Sequence, residues 1–123
     1  MIIILTFLIY FVAIEHLVIM GLEIFGKPEQ QAKLFDMPLS FVNQAPAKAA
    51  LGNMGIYNGM LAVVLLVSQW VLTGQPRLIT TALLLVYIVI VAIYGSLTVK
   101  KSIFWFQGMP ALVTFLVLLT QFL

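Results

Sequence analysis

The feature that most limits what this chain can fold into is its opening run, Ile2 to Ile24. There the only polar side chains are Thr6, Tyr10, Glu15, His16 and Glu23. A helix crossing the hydrocarbon core of a bilayer needs ~20 mainly apolar residues. Three further stretches meet that length, Ala49–Thr73, Leu78–Val99 and Ser102–Phe122. Over the whole chain 63% of residues are hydrophobic and 8% charged, against ~45–50% apolar and ~25% charged in ordinary soluble domains. A soluble fold of 123 residues leaves too much of its surface in water to hide that much apolar area. The first run lacks a basic leader and a small-residue cleavage site, so it reads as a retained membrane helix.

The spacing predicts one transmembrane domain over residues 1–123, an all-α integral membrane four-helix bundle. Its spans cover about 2–24, 49–73, 78–99 and 102–122. Gly26-Lys-Pro28, Gly74-Gln-Pro76-Arg77 and Lys100-Lys101 punctuate them. Short links impose antiparallel neighbours and an up-down-up-down order, and an open sheet would leave backbone groups unsatisfied in lipid. The loop 26–48 is too long for a turn. Within it Lys33-Leu-Phe-Asp-Met-Pro38 reads as a short amphipathic piece on the membrane surface, or equally as part of an ordered polar loop with apolar plugs.

Orientation follows from lysine and arginine counts in short loops. Lys27, Lys33 and Lys48 lie in the first loop and Lys100 and Lys101 between spans three and four, against Arg77 alone on the other side. This places the long loop in the cytoplasm and both termini outside, in the inner, cytoplasmic membrane. A net charge of +2 spread along the chain is no nucleic-acid patch. With no cysteine and one histidine, no thiolate or multi-histidine metal site is expected, and no cofactor.

Ionisable groups inside a span cost ~2.5–3.5 kcal/mol at the bilayer centre on insertion scales and are functional candidates by default. Glu15 and His16 are such a pair, suited to proton handling or ligand binding, though neighbours on a helix point ~100° apart. Structural glue between spans is the bland alternative. Glu23, four residues before Lys27, is explained by a boundary ion pair or by snorkelling. It also shares a face with His16, as a relay towards the cytoplasm would require. Gly52, Gly55 and Gly59 form a small-residue stripe for close helix packing, within or between protomers. Asn53 and Asn58 are natural partners for Glu15 or His16. Tyr57 shares the face of Asn53, Tyr94 lies on span three, and Pro110 should kink span four and free a carbonyl near Gln107. Tyr87 reads as packing only. At ~1.5 Å per residue Glu15, His16, Asn58, Tyr94 and Gln107 all fall ~8–14 Å from the cytoplasmic ends. They form a polar layer open to the cytoplasm and sealed on the outer side by hydrocarbon.

Three blocks carry a resemblance in this order: Glu15-His16-(x)3-Met20-x-x-Glu23, Asn53-x-Gly-x-Tyr57-Asn58-Gly59, and Ile93-Tyr94-Gly95 followed by Phe106-Gln107-Gly108-x-Pro110-Ala111. Together they resemble a widespread bacterial family of four-helix membrane proteins, known as a domain of unknown function, number thirteen-oh-four. Met54 departs from its usual pattern, which has glutamine there. The resemblance implies a four-span membrane protein and supplies no substrate.

The expected function is a proton-linked transporter or a small-ligand-binding membrane protein with a polar site in the cytoplasmic half, with a homo-oligomer as a candidate assembly. An accessory or structural subunit docking through the glycine stripe is the alternative. A membrane enzyme acting on a lipid-like substrate ranks below both, because no catalytic constellation is evident and no residue is assigned as catalytic.

Overall fold

In the computed structural model, which describes residues 2–123, apolar periodicity and proline placement define the helices. Helix α1 spans Ile2–Phe25, α4 Ala45–Val71 and α5 Gly74–Thr98, while two short helices, α2 (Pro28–Leu34) and α3 (Leu39–Val42), occupy the long connection. A π-helical stretch, Phe104–Gly108, runs into α6, Met109–Leu119. No strand occurs among the described residues. Helices α1, α4 and α5 are each long and apolar enough to cross a membrane.

The helix bounds differ from those expected from hydropathy, for local chemical reasons. Helix α4 begins at Ala45 rather than near residue 49, because Pro46 sits in its first turn, where the missing N–H costs nothing. Helix α5 begins at Gly74, which adopts a φ of 60°, so only Leu72 and Thr73 separate α4 from α5. The fourth apolar run is the shorter element. Its 5 π-helical and 11 α-helical residues rise roughly 24 Å at the α-helical pitch, short of a ~30 Å hydrocarbon core.

Helix α1 packs chiefly on α4, and α6 with its π-helical lead-in packs on α5 and α1. The shared core is Leu5, Ile9, Val12 and Ala13 of α1, Ala62 and Leu65 of α4, Leu85 and Ile88 of α5, and Ala111 and Leu118 of α6. Spacings of three, four and seven put each set on one helical face. The outward faces are as apolar as the core: Ile3, Phe7, Trp70, Leu83, Ile90 and Leu97 are all largely exposed. Water would penalise such a surface, whereas lipid would not.

Two glycines set the α1–α4 seam. A Cβ on Gly55 would lie 2.7 Å from Ile24 Cγ1, and one on Gly59 would collide with Met20 Sδ. Since Gly55 faces Ile24 and Gly59 faces Met20, the two helices run antiparallel. Gly52 does not belong to this seam, contrary to the reading of one continuous stripe, because a Cβ there meets nothing within 4 Å. The register explains why: one turn beyond Gly55, α1 has already ended at Phe25.

The long connection is ordered by its attachment to α1. The Gln31 amide donates to the carbonyls of Leu22 and Glu23, both at 3.0 Å; the Leu22 carbonyl also accepts the Gly26 N–H, while the Glu23 carbonyl is one that the last turn of α1 leaves free. Val42 is fully buried. The segment from Lys33 to Pro38 is not a continuous amphipathic helix: α2 ends at Leu34, and Asp36 takes the left-handed conformation with φ 53°. The Lys100 ammonium donates to the Lys33 carbonyl at 3.2 Å and ties this connection to the α5–α6 turn.

Candidate functional site

His16 lies on the buried face of α1 at 2% exposure. Its Nδ1 is 2.9 Å from the Val12 carbonyl. A carbonyl oxygen can only accept, so Nδ1 carries the proton and Nε2 is left for another partner. One turn pair further along the same face, Glu23 is 3% exposed. Its Oε2 accepts a 2.8 Å hydrogen bond from the Asn58 amide. Glu23 is therefore no boundary residue snorkelling beside Lys27. Helix α4 covers it on one side, and Gln31 of α2 bonds its backbone on the other.

Beside this pair, α4 and α5 stand apart, since α4 packs mainly on α1 and only sparingly on α5. The gap is a groove of about 260 Å³. Met54, Tyr57, Asn58 and Leu61 of α4 line one wall, and Tyr87, Ile88 and Val91 of α5 the other. His16 and Gln107 complete the lining from α1 and the π-helical stretch. The π geometry has a local cause: the Met109 N–H bonds back five residues to the Phe104 carbonyl, and Pro110 has no N–H to offer Phe106 in the next turn. Gly108 permits the close crossing, for a Cβ there would sit 2.7 Å from the Phe104 ring and 3.1 Å from Ala92 Cβ.

The groove thus gathers His16, the adjacent Tyr57 and Asn58, and Gln107 from three separate stretches of chain. It adds Tyr87, whose role was read as packing alone. Tyr57 and Tyr87 are both more than half exposed, so the groove opens sideways, between helices. With one amide hydrogen committed to Glu23, Asn58 keeps its carbonyl oxygen as an acceptor. The lining offers donors and acceptors but no side chain of fixed charge, which suits an uncharged molecule with a few polar groups on an apolar frame.

Other expected members of the layer lie elsewhere. Glu15 is not in the lining, because it points about 100° away from His16. Its Oε2 is buried and unpartnered among the described residues. Asn53 is exposed and pairs with neither Glu15 nor His16. Tyr94, one turn past Val91, is 70% exposed and outside the lining. No cluster of three or more His, Asp or Glu side chains that could hold a metal forms among the described residues.

The opposite end of the helices, expected to be almost wholly apolar, also gathers polar side chains. There a second pocket of about 300 Å³ opens between α1, α4, α5 and α6, lined in part by Thr6, Tyr10, Gln69, Arg77, Thr81 and Gln121. Thr6, Tyr10 and Arg77 stood in the sequence as scattered polar residues; their convergence with Gln69, Thr81 and Gln121 was not visible there.

Comparison with known proteins adds a family assignment. A family model described as protein of unknown function, DUF1304, matches residues 10–119. The chain is 35% identical over 98 residues to the uncharacterized protein YpaA of Lactococcus lactis subsp. lactis (strain IL1403), covering 79% of this chain and 81% of the relative. No solved structure matches.

Proposed function

This chain belongs to the DUF1304 family, and we propose that it is a small-ligand-binding membrane protein whose ligand sits in the α4–α5 groove. In this reading the four helical runs cross the bilayer up-down-up-down, with the shorter fourth run accommodated by local thinning of the bilayer. The five lysines at the α2–α3 end face the cytoplasm and both termini lie outside, following the lysine and arginine asymmetry. The groove then falls in the cytoplasmic half and opens to lipid. A ligand of mixed polarity would enter it from the bilayer.

One observation carries the reading: His16, the pair Tyr57 and Asn58, and Gln107, from three distant stretches of the chain, line a single groove. His16 supplies a titratable nitrogen, and the Asn58 amide that shares its groove donates to the Glu23 carboxyl group. That arrangement would couple occupancy of the groove to proton uptake, the chemistry a proton-linked transporter needs. The accessory-subunit alternative draws no support from the glycine stripe, because Gly55 and Gly59 are filled by α1 of the same chain.

Native mass spectrometry of the protein extracted from its own membrane is the direct test. The wild type should carry a small molecule that His16→Ala and Gln107→Leu variants lose while staying folded. In phosphatidylethanolamine–phosphatidylglycerol liposomes loaded with a pH dye, that molecule should drive proton movement only with the wild type. Retention of the molecule by both variants ends the groove reading; binding without proton movement removes the proton link alone.

A further inference from the structure

We propose that the pocket at the terminal end binds the phosphate headgroup of an anionic lipid through Arg77. This inference rests on the membrane reading but concerns a site separate from the groove.

Arg77 is the one lysine or arginine at this end of the helices; Lys27, Lys33, Lys48, Lys100 and Lys101 are all at the other. A cation here runs against the charge asymmetry that orients the chain, so topology does not account for it. Its side chain lines the pocket, and its guanidinium makes no hydrogen bond or ion pair with any described residue. The four acids, Glu15, Glu23, Glu29 and Asp36, are absent from the lining. Arg77 thus brings a planar fork of N–H donors to the wall of a cavity lined by none of the four acidic side chains, and that fork matches a phosphate bidentately. The Tyr10 hydroxyl, also in the lining, is a further donor without a partner among the described residues.

The turn carrying Arg77 is held rigidly. The Thr81 hydroxyl donates to the Arg77 carbonyl at 2.8 Å and accepts from the Gln69 amide at 2.8 Å. That amide also contacts the Ser68 hydroxyl at 3.1 Å. Thr81 and Ser68 are both buried, so the network braces the α4–α5 end against distortion when an anion binds. Part of the wall is apolar, formed by Leu5, Ile9 and Leu118. A free phosphate has no use for that wall, whereas an acyl chain does, and this selects a lipid over a soluble ion.

The test compares the full chain in detergent, incubated with phosphatidylglycerol or phosphatidylcholine, by native mass spectrometry. Wild type should retain a single phosphatidylglycerol in preference to phosphatidylcholine. Arg77→Gln should weaken retention about tenfold, the scale of one charge-assisted contact. Arg77→Lys should weaken it less, because the charge stays while the fork is lost, and it decides the matter if Arg77→Gln does not survive purification. The groove variant Tyr57→Phe should retain phosphatidylglycerol as wild type does, which separates this site from the groove. Equal retention of both lipids, undiminished retention by folded Arg77→Gln, or stabilisation by inorganic phosphate with no lipid held would each overturn the proposal.

Discussion

Helix α4 meets α1 and α5 in opposite ways. Towards α1 it presents Gly55 and Gly59, and the Ile24 and Met20 side chains fill the space a Cβ would need. Towards α5 it presents Tyr57, Asn58 and Leu61, and a groove remains. One helix thus makes a seam where it lacks side chains and a cavity where bulky ones hold its neighbour off. In lipid the seam must rest on van der Waals contact, since apolar burial drives little association there. The tight face supplies rigidity, and the loose face keeps room for a ligand.

The comparison can be broken most severely at Gly59. Leucine there should destabilise the protein by about 3 kcal/mol, the upper range for overpacking, read by circular dichroism during denaturant unfolding in detergent micelles. Met20→Ala should recover part of that loss; an unchanged unfolding midpoint in Gly59→Leu would dissolve the seam argument.

Next in size is Asn58→Leu, which strips Glu23 of its buried partner and should cost about 2 kcal/mol. Adding Glu23→Leu should return most of it, because removing both members of a buried pair is far cheaper than removing one. Additive losses in the double variant would mean the two side chains act independently.

A smaller effect, of opposite sign, sharpens the seam's limit. Gly52→Ala should stabilise by about 0.5–1 kcal/mol, since alanine is the better helix former and meets no neighbour. Destabilisation would place Gly52 back among the packing glycines.

Least of all, Tyr57→Phe and Tyr94→Phe should each leave stability within about 0.5 kcal/mol of wild type. Their difference should appear in ligand retention by native mass spectrometry, reduced for Tyr57→Phe and intact for Tyr94→Phe. Equal behaviour would detach the Tyr57 hydroxyl from the site.

Much of this was legible in the residues. Runs of apolar residues dictated helices, and the mid-span His16 with Asn58 and Gln107 at matching depth marked a polar level. Reading by depth failed where azimuth mattered. Glu15 shares the level of His16 but points elsewhere, and Tyr94, seven residues along α5 from Tyr87, lies past the groove. Glu23 looked like a boundary residue because its four-residue spacing from Lys27 is a familiar ion-pair spacing. Its burial depends on α4 and on Gln31, thirty-five and eight residues away in the chain.

By itself, then, the sequence determined helical segments, their apolar character and the residues able to hydrogen-bond within them, because these follow from composition and local periodicity. Only the tertiary structure decided which of those residues meet. That depends on helix rotation and register, on the chain break at Phe25 that excludes Gly52, and on the π-helical turn before Pro110 beside which Gln107 enters the groove. It also decided that Arg77 lines a pocket to which no carboxylate side chain of the described residues contributes. Small shifts of azimuth, invisible in a linear pattern, separate a side chain that lines a site from one that faces lipid.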